Sequence, residues 1–258
     1  MDWSAGQYLR FEDERTRPAR DLLNAVRNLS PGRAVDLGCG PGNSTELLVE
    51  RYPEAAVEGI DSSTDMIEKA RERLPGLRFE VADISAWEPE DRYDVIFSNA
   101  VMHWLPGHAR LFPRLAACLK PGGSLAIQMP DNMDEPSHRA MREVAALPEF
   151  AGKLAGAGEE RSGIASPSAY YSMLQPCCGR IDIWRTVYNH ALAGPEAIVE
   201  WFKGSGLRPY LTRLNQSDRA LFLDTYLETV RQGYPPMPDG RVLLAFPRLF
   251  LVAERPGQ

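Results

Sequence analysis

The feature that most constrains the fold is a regular alternation of short apolar segments and amphipathic segments over the first half of the chain. Apolar segments of strand character lie at residues 34–37, 56–60, 77–82, 93–98 and 124–129. Helical patterns fill three of the intervals, at about 43–52, 64–74 and 109–119, and Asn43-Ser44-Thr45 can cap the first of these helices. Strands and helices that alternate at this spacing form parallel, doubly wound sheets, which bind ligands outside the carboxyl ends of their strands. The sequence therefore predicts an α/β fold with a ligand site at that edge of the sheet.

Outside this region the pattern is mixed. Helical patterns occupy 18–29, 137–147, 168–174 and about 195–233, and strand patterns occupy 180–190 and 248–253, the last one after Pro247. The Gly-rich stretch 149–166 predicts a mobile loop. We expect one domain over residues 1–258. Its parts are an N-terminal cap segment (1–31), a cofactor-binding core (32–130) and a substrate-side half (131–258) with a helical insertion at about 194–240.

Composition excludes several classes of partner. The net charge of −6 argues against nucleic acid, because phosphate backbones require basic patches. The sequence contains no apolar stretch of about 18 residues or more, so no membrane span is expected. The N-terminus lacks the pattern of a secretory signal. The four cysteines lack CxxC spacing, so we expect free thiols, a cytoplasmic location and no metal. Heptads are absent, and we expect a monomer.

A glycine-rich turn follows the first strand, with the pattern Gly38-x-Gly40-x-Gly42. Glycines let a ligand approach the backbone closely, in a dinucleotide site or in an S-adenosylmethionine site. The dinucleotide pattern GxGxxG places its third glycine one residue later, and a carboxylate at Asp36 would repel a pyrophosphate. S-adenosylmethionine carries an ammonium group and no phosphate. The loop therefore favours S-adenosylmethionine.

Other candidate ligands of this cofactor follow the later strands. Asp61 ends the second strand and can accept hydrogen bonds from both ribose hydroxyls. Asp83 and Ile84, after the third strand, can meet the adenine edge, and residues 99–104 can line the channel to the methyl acceptor. The predicted cofactor-binding residues are Tyr8, Asp36, Gly38, Cys39, Gly40, Asn43, Asp61, Ser62, Met66, Asp83, Ile84, Asn99, Ala100 and Trp104.

Four motifs between residues 34 and 130 resemble those of class I methyltransferases: Asp36-Leu-Gly-Cys-Gly-Pro-Gly-Asn-Ser44, Gly59-Ile-Asp-Ser-Ser63, Asp83-Ile84 and Leu119-Lys-Pro-Gly-Gly123. A narrower resemblance, to the trans-aconitate 2-methyltransferase family, covers nearly the whole chain. Its motifs are Tyr8-Leu-x-Phe11, Glu14-Arg15-x-Arg17-Pro18, Gln128-Met-Pro-Asp-Asn132, Ile183-Trp-Arg-Thr186, Gly206-Leu-Arg-Pro209 and Leu243-Leu-Ala-Phe-Pro-Arg-Leu-Phe250.

This resemblance implies a Rossmann-like, seven-stranded, mostly parallel sheet with an antiparallel last strand and a helical cap. It also implies a cytoplasmic enzyme that methylates one carboxylate of trans-aconitate, a small polycarboxylate, and releases a monomethyl ester and S-adenosylhomocysteine.

A carboxylate is ionised at neutral pH, so the reaction needs positioning rather than a catalytic base, although His103 is available as one. Desolvating a polyanion requires cations, and arginine binds carboxylates through a planar fork. An antiparallel last strand would place its start, with Arg248, at the active-site edge. The predicted substrate-binding residues are Arg15, Arg17, His103, Tyr188, His190, Arg208 and Arg248.

Three alternatives stay open at this point. The same fold can methylate another acceptor, such as a malonyl thioester acid or a small hydroxylated metabolite. A NAD-dependent dehydrogenase also has a glycine turn after its first strand, but the glycine spacing and Asp36 count against it. A non-enzymatic S-adenosylmethionine sensor would carry an apolar tail or a DNA-binding appendage, and the sequence displays neither.

Overall fold

The computed structural model describes residues 12–158 and 163–257, with side chains from residue 16 onward. The strands in this part of the chain are β1 (Arg33–Leu37), β2 (Ala56–Asp61), β3 (Arg78–Val81), β4 (Tyr93–Asn99), β5 (Leu119–Pro130), β6 (Arg180–Leu192) and β7 (Val242–Glu254). The helices are α1 (Glu12–Asn24), α2 (Asn43–Arg51), α3 (Thr64–Arg73), α4 (His108–Ala117), α5 (Pro136–Ala145), α6 (Pro148–Ala151), α7 (Pro167–Leu174), α8 (Pro195–Lys203), α9 (Arg208–Leu211) and α10 (Gln216–Gly233). A 3-10 turn, Met102–Trp104, follows β4.

The strands form one sheet in the order β3-β2-β1-β4-β5-β7-β6. Strand β1 is parallel to β2 and β4, and β3 and β5 extend the parallel part on either side. Strand β7 is antiparallel to β5, because Gly122 N donates to Arg255 O near the start of β5 while Asp131 N, just after its end, donates to Pro247 O. The predicted seven-stranded, mostly parallel sheet with an antiparallel last strand is confirmed.

The chain divides into two compact units. The first, called here the sheet unit, comprises Met1–Met129, Ile164–Arg185 and Leu249–Gln258. The second, called the insertion unit, comprises Pro130–Gly163 and Thr186–Arg248. The predicted division into cap, core and substrate-side half stays a prediction.

The core of the sheet unit consists of strand residues and the helices beside them. Val35, Ile96 and Leu125, on three neighbouring strands, are fully buried. Strands covered on both faces carry continuous apolar runs, which explains why these segments were recognisable in the sequence. Phe112 of α4 stacks on Tyr170 of α7 with their ring centroids 5.1 Å apart. Burial of each large side chain contributes about 1.5–3 kcal/mol.

The insertion unit has a core of its own. Helix α10 packs against α5 and α8. Its Phe222 is fully buried, with the ring of Phe150 5.2 Å away on edge and the ring of Tyr210 stacked at 5.8 Å. Tyr226 of the same helix donates its hydroxyl to Ser137 O, which satisfies a buried polar group.

Two predicted element boundaries were wrong. The first helix spans Glu12–Asn24 rather than 18–29. It ends early because Ala25 N and Val26 N bond to carbonyls three residues back, a tight turn that buries Val26. The last strand begins at Val242 rather than at Arg248, since Pro247 is accommodated within it. Arg248 is therefore in the middle of β7, not at its start.

Two expected loop segments are partly regular. Strand β5 begins at Leu119 rather than at residue 124, and its pairing shifts from Tyr93↔Leu119 to Val95↔Ser124. Extra residues of β5 thus bulge out of the ladder at this point. Within the predicted loop 149–166, Pro148–Ala151 forms a helical turn that buries Phe150. The predicted mobility of the loop stays untested.

None of the helices in residues 12–158 and 163–257 combines the length and apolar character that a membrane crossing needs. The same residues contain no group of three or more His, Cys, Asp or Glu side chains placed to hold a metal ion. All four cysteines are free thiols.

Candidate active site

The glycine turn after β1 packs directly against the loop after β4. Gly38 has a φ of 75°, and a Cβ built there would be 2.3 Å from Val101 Cγ2. Gly38 N and Cys39 N both donate to Ile60 O, at 2.7 and 3.0 Å, which ties the turn to the end of β2. Only glycine allows both this φ and this approach of the two loops.

Gly40, two residues further on, faces open space. Its φ is 54°, and no atom is within 4 Å of a Cβ built there. In contrast, the Cys39 side chain belongs to a small apolar cluster with Ile67 and Phe79. Burial raises the pKa of its thiol, so it stays neutral. The turn therefore offers its backbone at Gly40, not the Cys39 thiol, to a ligand.

Asp36 in β1 is fully buried. Its Oδ2 accepts hydrogen bonds from Ser44 Oγ (2.6 Å) and Thr45 Oγ1 (2.8 Å), and its Oδ1 has no hydrogen-bond partner in the described part of the chain. Desolvation raises the pKa of Asp36 to about 6, against the two hydroxyl bonds, which lower it. The sequence predicted that Asn43, Ser44 or Thr45 caps helix α2. That prediction was wrong, because Gly42 is the N-cap and the two hydroxyls bind Asp36.

Asp61 holds the turn from the other side. Its Oδ2 accepts from Gly40 N at 3.0 Å and its Oδ1 from Ser63 N at 2.9 Å. Burial raises the pKa of this carboxyl, partly offset by these backbone bonds. Each carboxylate oxygen keeps a further lone pair. The predicted ligand Ser62 is exposed beside it, whereas Met66 is buried at the base of α3.

The next candidate, Asp83, follows the end of the β2–β3 ladder, where Asp61 pairs with Val81 and Ala82 N donates to Asp61 O. Asp83 is exposed, and its Oδ1 accepts from Ser85 N at 2.8 Å. Hydrogen bonds from Ser85 lower the pKa of Asp83, so its carboxylate is charged at neutral pH. The Ile84 side chain is buried in the core, which leaves its backbone for a ligand.

The end of β4 displays the features of a binding loop. Asn99 Oδ1 is buried with no hydrogen-bond partner among the described residues. Ala100 has a φ of 58°, the one positive φ of a non-glycine residue in the described chain, and its N–H donates to Gln128 O. Strain of this kind concentrates at functional sites. His103 and Trp104 follow on the 3-10 turn with ring centroids 4.9 Å apart.

Within the insertion unit, three predicted substrate-binding residues form one cluster. The guanidinium carbon of Arg248 is 4.6 Å from the Phe246 ring centroid and 5.9 Å from that of Tyr188. Arg248 is buried, with 3% of its surface exposed. The His190 ring lies 6.5 Å from Tyr188 and 4.8 Å from Trp201. We call these five residues the arginine cluster.

The remaining candidates are placed elsewhere or are not described. Arg17 is exposed on α1, with its Nε 4.0 Å from Asp21 Oδ2 one turn along the helix. Arg208 is half-buried at the first position of α9, and Asn43 is half-buried at the first position of α2. Tyr8 and the Arg15 side chain lie outside the described residues. All residue roles assigned from the sequence stay predictions.

The sequence reasoning missed several residues that shape these sites. Ser44 and Thr45 were candidate helix caps, and Val101 was assigned to the channel. Phe246 was part of a family motif only, and Trp201 was part of a helical pattern. A pair of hydroxyls eight and nine positions after a buried aspartate is a usable signal, because a turn and one helical turn bring them back to the strand. The aromatic partners of Arg248 gave no such local signal.

The geometry in the sheet unit fits S-adenosylmethionine. Asp36 Oδ1 and Asn99 Oδ1 are buried acceptor atoms that have no hydrogen-bond partner in residues 12–158 and 163–257. They suit a ligand that brings donors, such as an ammonium group. The carboxylate of Asp36 would repel a pyrophosphate, and the open space at Gly40 admits a ligand against the backbone.

Comparison with known proteins agrees with this assignment. A protein family described as a methyltransferase domain matches residues 9–161. The YcgJ protein from Bacillus subtilis has a similar fold, with a TM-score of 0.61 and 14% identity over 94% of this chain and 100% of that one. The sheet, the glycine turn and the family match together define a class I methyltransferase, whose cofactor is S-adenosylmethionine.

Curated relatives narrow the class. A trans-aconitate 2-methyltransferase from Methylobacterium nodulans is 59% identical over 254 residues, 98% of each chain. Another, from Rhizobium meliloti, is 55% identical over 255 residues, 99% of each chain. The chain belongs to the trans-aconitate 2-methyltransferase family, as its motifs predicted.

Proposed function

We propose that this protein transfers the methyl group of S-adenosylmethionine to one carboxylate of trans-aconitate, giving a monomethyl ester and S-adenosylhomocysteine. Two relatives that align over almost their whole length carry that activity in their names. The observation that carries the proposal is the buried Arg248 within the arginine cluster. A guanidinium packed against aromatic rings presents its planar fork to a carboxylate with little loss of side-chain freedom.

The sheet unit holds the methyl donor. The Asp36 carboxylate attracts the ammonium end of the cofactor, Asp61 accepts from the ribose, and Asp83 accepts from the exocyclic amine of adenine. The positive φ of Ala100 gives the backbone after β4 a strained conformation. When bound, S-adenosylmethionine supplies a methyl group on a positively charged sulfur, which leaves as a neutral thioether.

The acceptor needs no deprotonation. Carboxylic acids titrate near pH 4, so the attacking oxygen is already charged at neutral pH. The new O–CH₃ bond forms as the S–CH₃ bond breaks, the bonding pair stays on sulfur, and both formal charges are neutralised. His103 is therefore assigned to positioning, and no residue is assigned as a general base.

The protein's contribution is orientation and replacement of solvent. Holding an oxygen in line with the reacting carbon contributes several kcal/mol, up to about 7–11. Stripping water from a trianion is costly unless cations replace it, which is the role of Arg248, with Tyr188 and His190 as donors beside it. Arg208, Arg17 and Arg15 remain further candidates for the other carboxylates. The protein is proposed to act as a monomer on this small polycarboxylate.

The test is a comparison of acceptors. Purified protein is incubated with S-adenosylmethionine and, separately, trans-aconitate, cis-aconitate, citrate or isocitrate, and the release of S-adenosylhomocysteine is followed. We expect the highest kcat/KM with trans-aconitate. If S-adenosylhomocysteine binds but none of the four acids is turned over, the polyacid is not the substrate.

A further inference from the structure

One arginine that is not among the proposed binding residues donates hydrogen bonds to the turn that contains Asp83. Arg114, on α4, donates from Nη1 to Trp87 O at 3.0 Å and from Nη2 to Ile84 O and Ser85 O, each at 2.8 Å. All of these residues belong to the sheet unit. A single guanidinium thus binds three carbonyls of one short segment, residues 84–87. This segment precedes Arg114 by 27 to 30 residues in the sequence.

This segment, called here the adenine turn (residues 83–87), also forms hydrogen bonds within its own backbone. Ala86 N donates to Asp83 O at 3.0 Å, and Trp87 N donates to Ile84 O at 3.3 Å. The side chains of Ile84 and Trp87 are buried, so they fix the turn from below. Asp83, by contrast, is exposed at the start of the turn and is held to it by the bond from Ser85 N.

We propose that Arg114 is a positioning residue for adenine recognition, which holds the adenine turn so that the Asp83 carboxylate meets the purine 6-amino group. The inference rests on the proposed role of Asp83 in the cofactor site. Arg114 reaches the cofactor only through the turn, and it is not a catalytic residue.

The geometry explains why arginine is needed here. Its two terminal nitrogens diverge, so one reaches Trp87 O while the other is shared between Ile84 O and Ser85 O. A lysine ammonium is a single point and cannot span these acceptors in the same directions. Hydrogen bonds from Ser85 are the main cause of the lowered pKa of Asp83, and the Arg114 charge lowers it further.

The test compares two ligands rather than turnover. Binding of S-adenosylhomocysteine and of its purine analogue, which has hydrogen in place of the 6-amino group, is measured by calorimetry for wild type and Arg114→Lys. Wild type is expected to prefer S-adenosylhomocysteine by about tenfold or more, as a hydrogen bond to a charged group implies. In Arg114→Lys we expect this preference to fall to about threefold or less, with the affinity for the purine analogue nearly unchanged.

Two variants serve as controls. Arg110→Lys, on the exposed face of the same helix, should keep both affinities. Asp83→Asn should lose the preference by itself, and the Arg114→Lys/Asp83→Asn double variant should lose no more than Asp83→Asn alone.

The outcomes separate this inference from the proposed function. If Arg114→Lys weakens both ligands equally, or leaves the preference intact, Arg114 has only a structural role. If Arg114→Lys does not fold, Arg114→Gln replaces it, and failure of both to fold also overturns the inference. Because no acceptor acid is present, a wrong assignment of trans-aconitate does not affect the result.

Discussion

At the scale of single residues, two buried charged groups matter most, the Asp36 carboxylate of the sheet unit and the Arg248 guanidinium of the insertion unit. Their surroundings act in different ways. Desolvation pushes Asp36 toward its neutral form, and only two hydroxyls oppose it. Arg248 lies among aromatic rings, which attract a cation through their faces.

The raised pKa of Asp36, about 6, predicts that cofactor binding depends on pH. A cationic ammonium group binds the ionised carboxylate, so below about pH 6 binding must first release a proton. The affinity for S-adenosylhomocysteine should fall about fivefold between pH 6 and pH 5, approach a tenfold fall per pH unit below pH 5, and be nearly constant from pH 7 to 8. Calorimetric titration at each pH measures this. Asp36→Asn should bind more weakly and with no such slope; an unchanged slope in that variant would refute the assignment.

The raised pKa of Asp36 also affects the stability of the fold: a higher pH favours cofactor binding but lowers the contribution of Asp36 to stability. The pKa of Asp36 is higher in the folded protein than its ordinary value of 3.8, so the folded state holds the proton more tightly than the unfolded one. The contribution of this group to the free energy of unfolding is therefore largest below about pH 4 and is lost as the pH rises through about 6. Asp36→Asn removes this contribution to the pH dependence.

For Arg248 we expect that replacement by Met raises the KM for trans-aconitate about tenfold or more, because a buried carboxylate loses its bidentate partner. The Kd of S-adenosylhomocysteine should be nearly unchanged, since Arg248 is not in the unit that holds the proposed cofactor residues. Steady-state kinetics and calorimetry measure the two quantities. Arg241→Met, at an exposed position just before β7, is the matched control. A wild-type KM in Arg248→Met would show that another residue binds the acid.

At the scale of elements, Gly38 and Gly40 predict different effects for the same substitution to alanine. A Cβ at Gly38 would be 2.3 Å from Val101 Cγ2, so Gly38→Ala must displace the loop after β4. Overpacking and the strained φ should cost about 1–3 kcal/mol of stability. At Gly40 the Cβ meets no atom within 4 Å, so Gly40→Ala should cost only about 1 kcal/mol but weaken cofactor binding.

Thermal unfolding and binding of S-adenosylhomocysteine distinguish these two variants. Gly38→Ala should have the lower Tm of the pair, whereas Gly40→Ala should lose more affinity per degree of Tm lost. Equal losses of stability would contradict the close approach of the two loops.

The sequence predicted the elements well where local pattern determines them. Strands β1, β2 and β4 are buried on both faces and appear as apolar runs, and the helical pattern at 64–74 corresponds to helix α3 (Thr64–Arg73). Prediction failed where tertiary packing overrides the local signal. Pro247 read as a strand boundary, although its carbonyl pairs with Asp131 within β7.

Long-range contacts explain what was missed in the site. The Gly38–Val101 approach and the Arg114 bonds to the adenine turn join residues far apart in sequence, and no period or spacing predicts them. The candidates Asp36, Asp61 and Asn99 could be identified from the sequence because each stands at or near the end of a strand, where the fold class alone locates a site. Arg17 matched a family motif, but its side chain is exposed on α1, near Asp21 one turn along the helix. The motif alone did not indicate this position.

At the scale of the whole molecule, cofactor binding should stabilise the folded protein by mass action. At a concentration one hundred times its Kd, S-adenosylhomocysteine should raise the free energy of unfolding by about 2.7 kcal/mol. For a chain of this length that corresponds to a rise in Tm of about 5–11 °C. Differential scanning fluorimetry measures it, with Gly40→Ala as the variant in which the rise should shrink. An equal rise in that variant would show that the ligand binds elsewhere.

The net charge of −6 is another property of the whole molecule, and it limits how the protein can attract an anionic substrate. A negative protein does not attract a trianion by its overall field, so attraction must come from local cations. This is consistent with the burial of Arg248 in an aromatic cluster rather than on an open basic surface.

The measurement that most directly tests methyl transfer to a carboxylate uses S-adenosylmethionine with a trideuterated methyl group. The protein is incubated with this donor and trans-aconitate, and the product is analysed by mass spectrometry before and after mild alkali. The proposed reaction predicts one trideuteromethyl group per aconitate, which alkali removes as labelled methanol to regenerate the free acid. An unlabelled acid, or a label that survives alkali because it is bonded to carbon, would contradict carboxylate methylation.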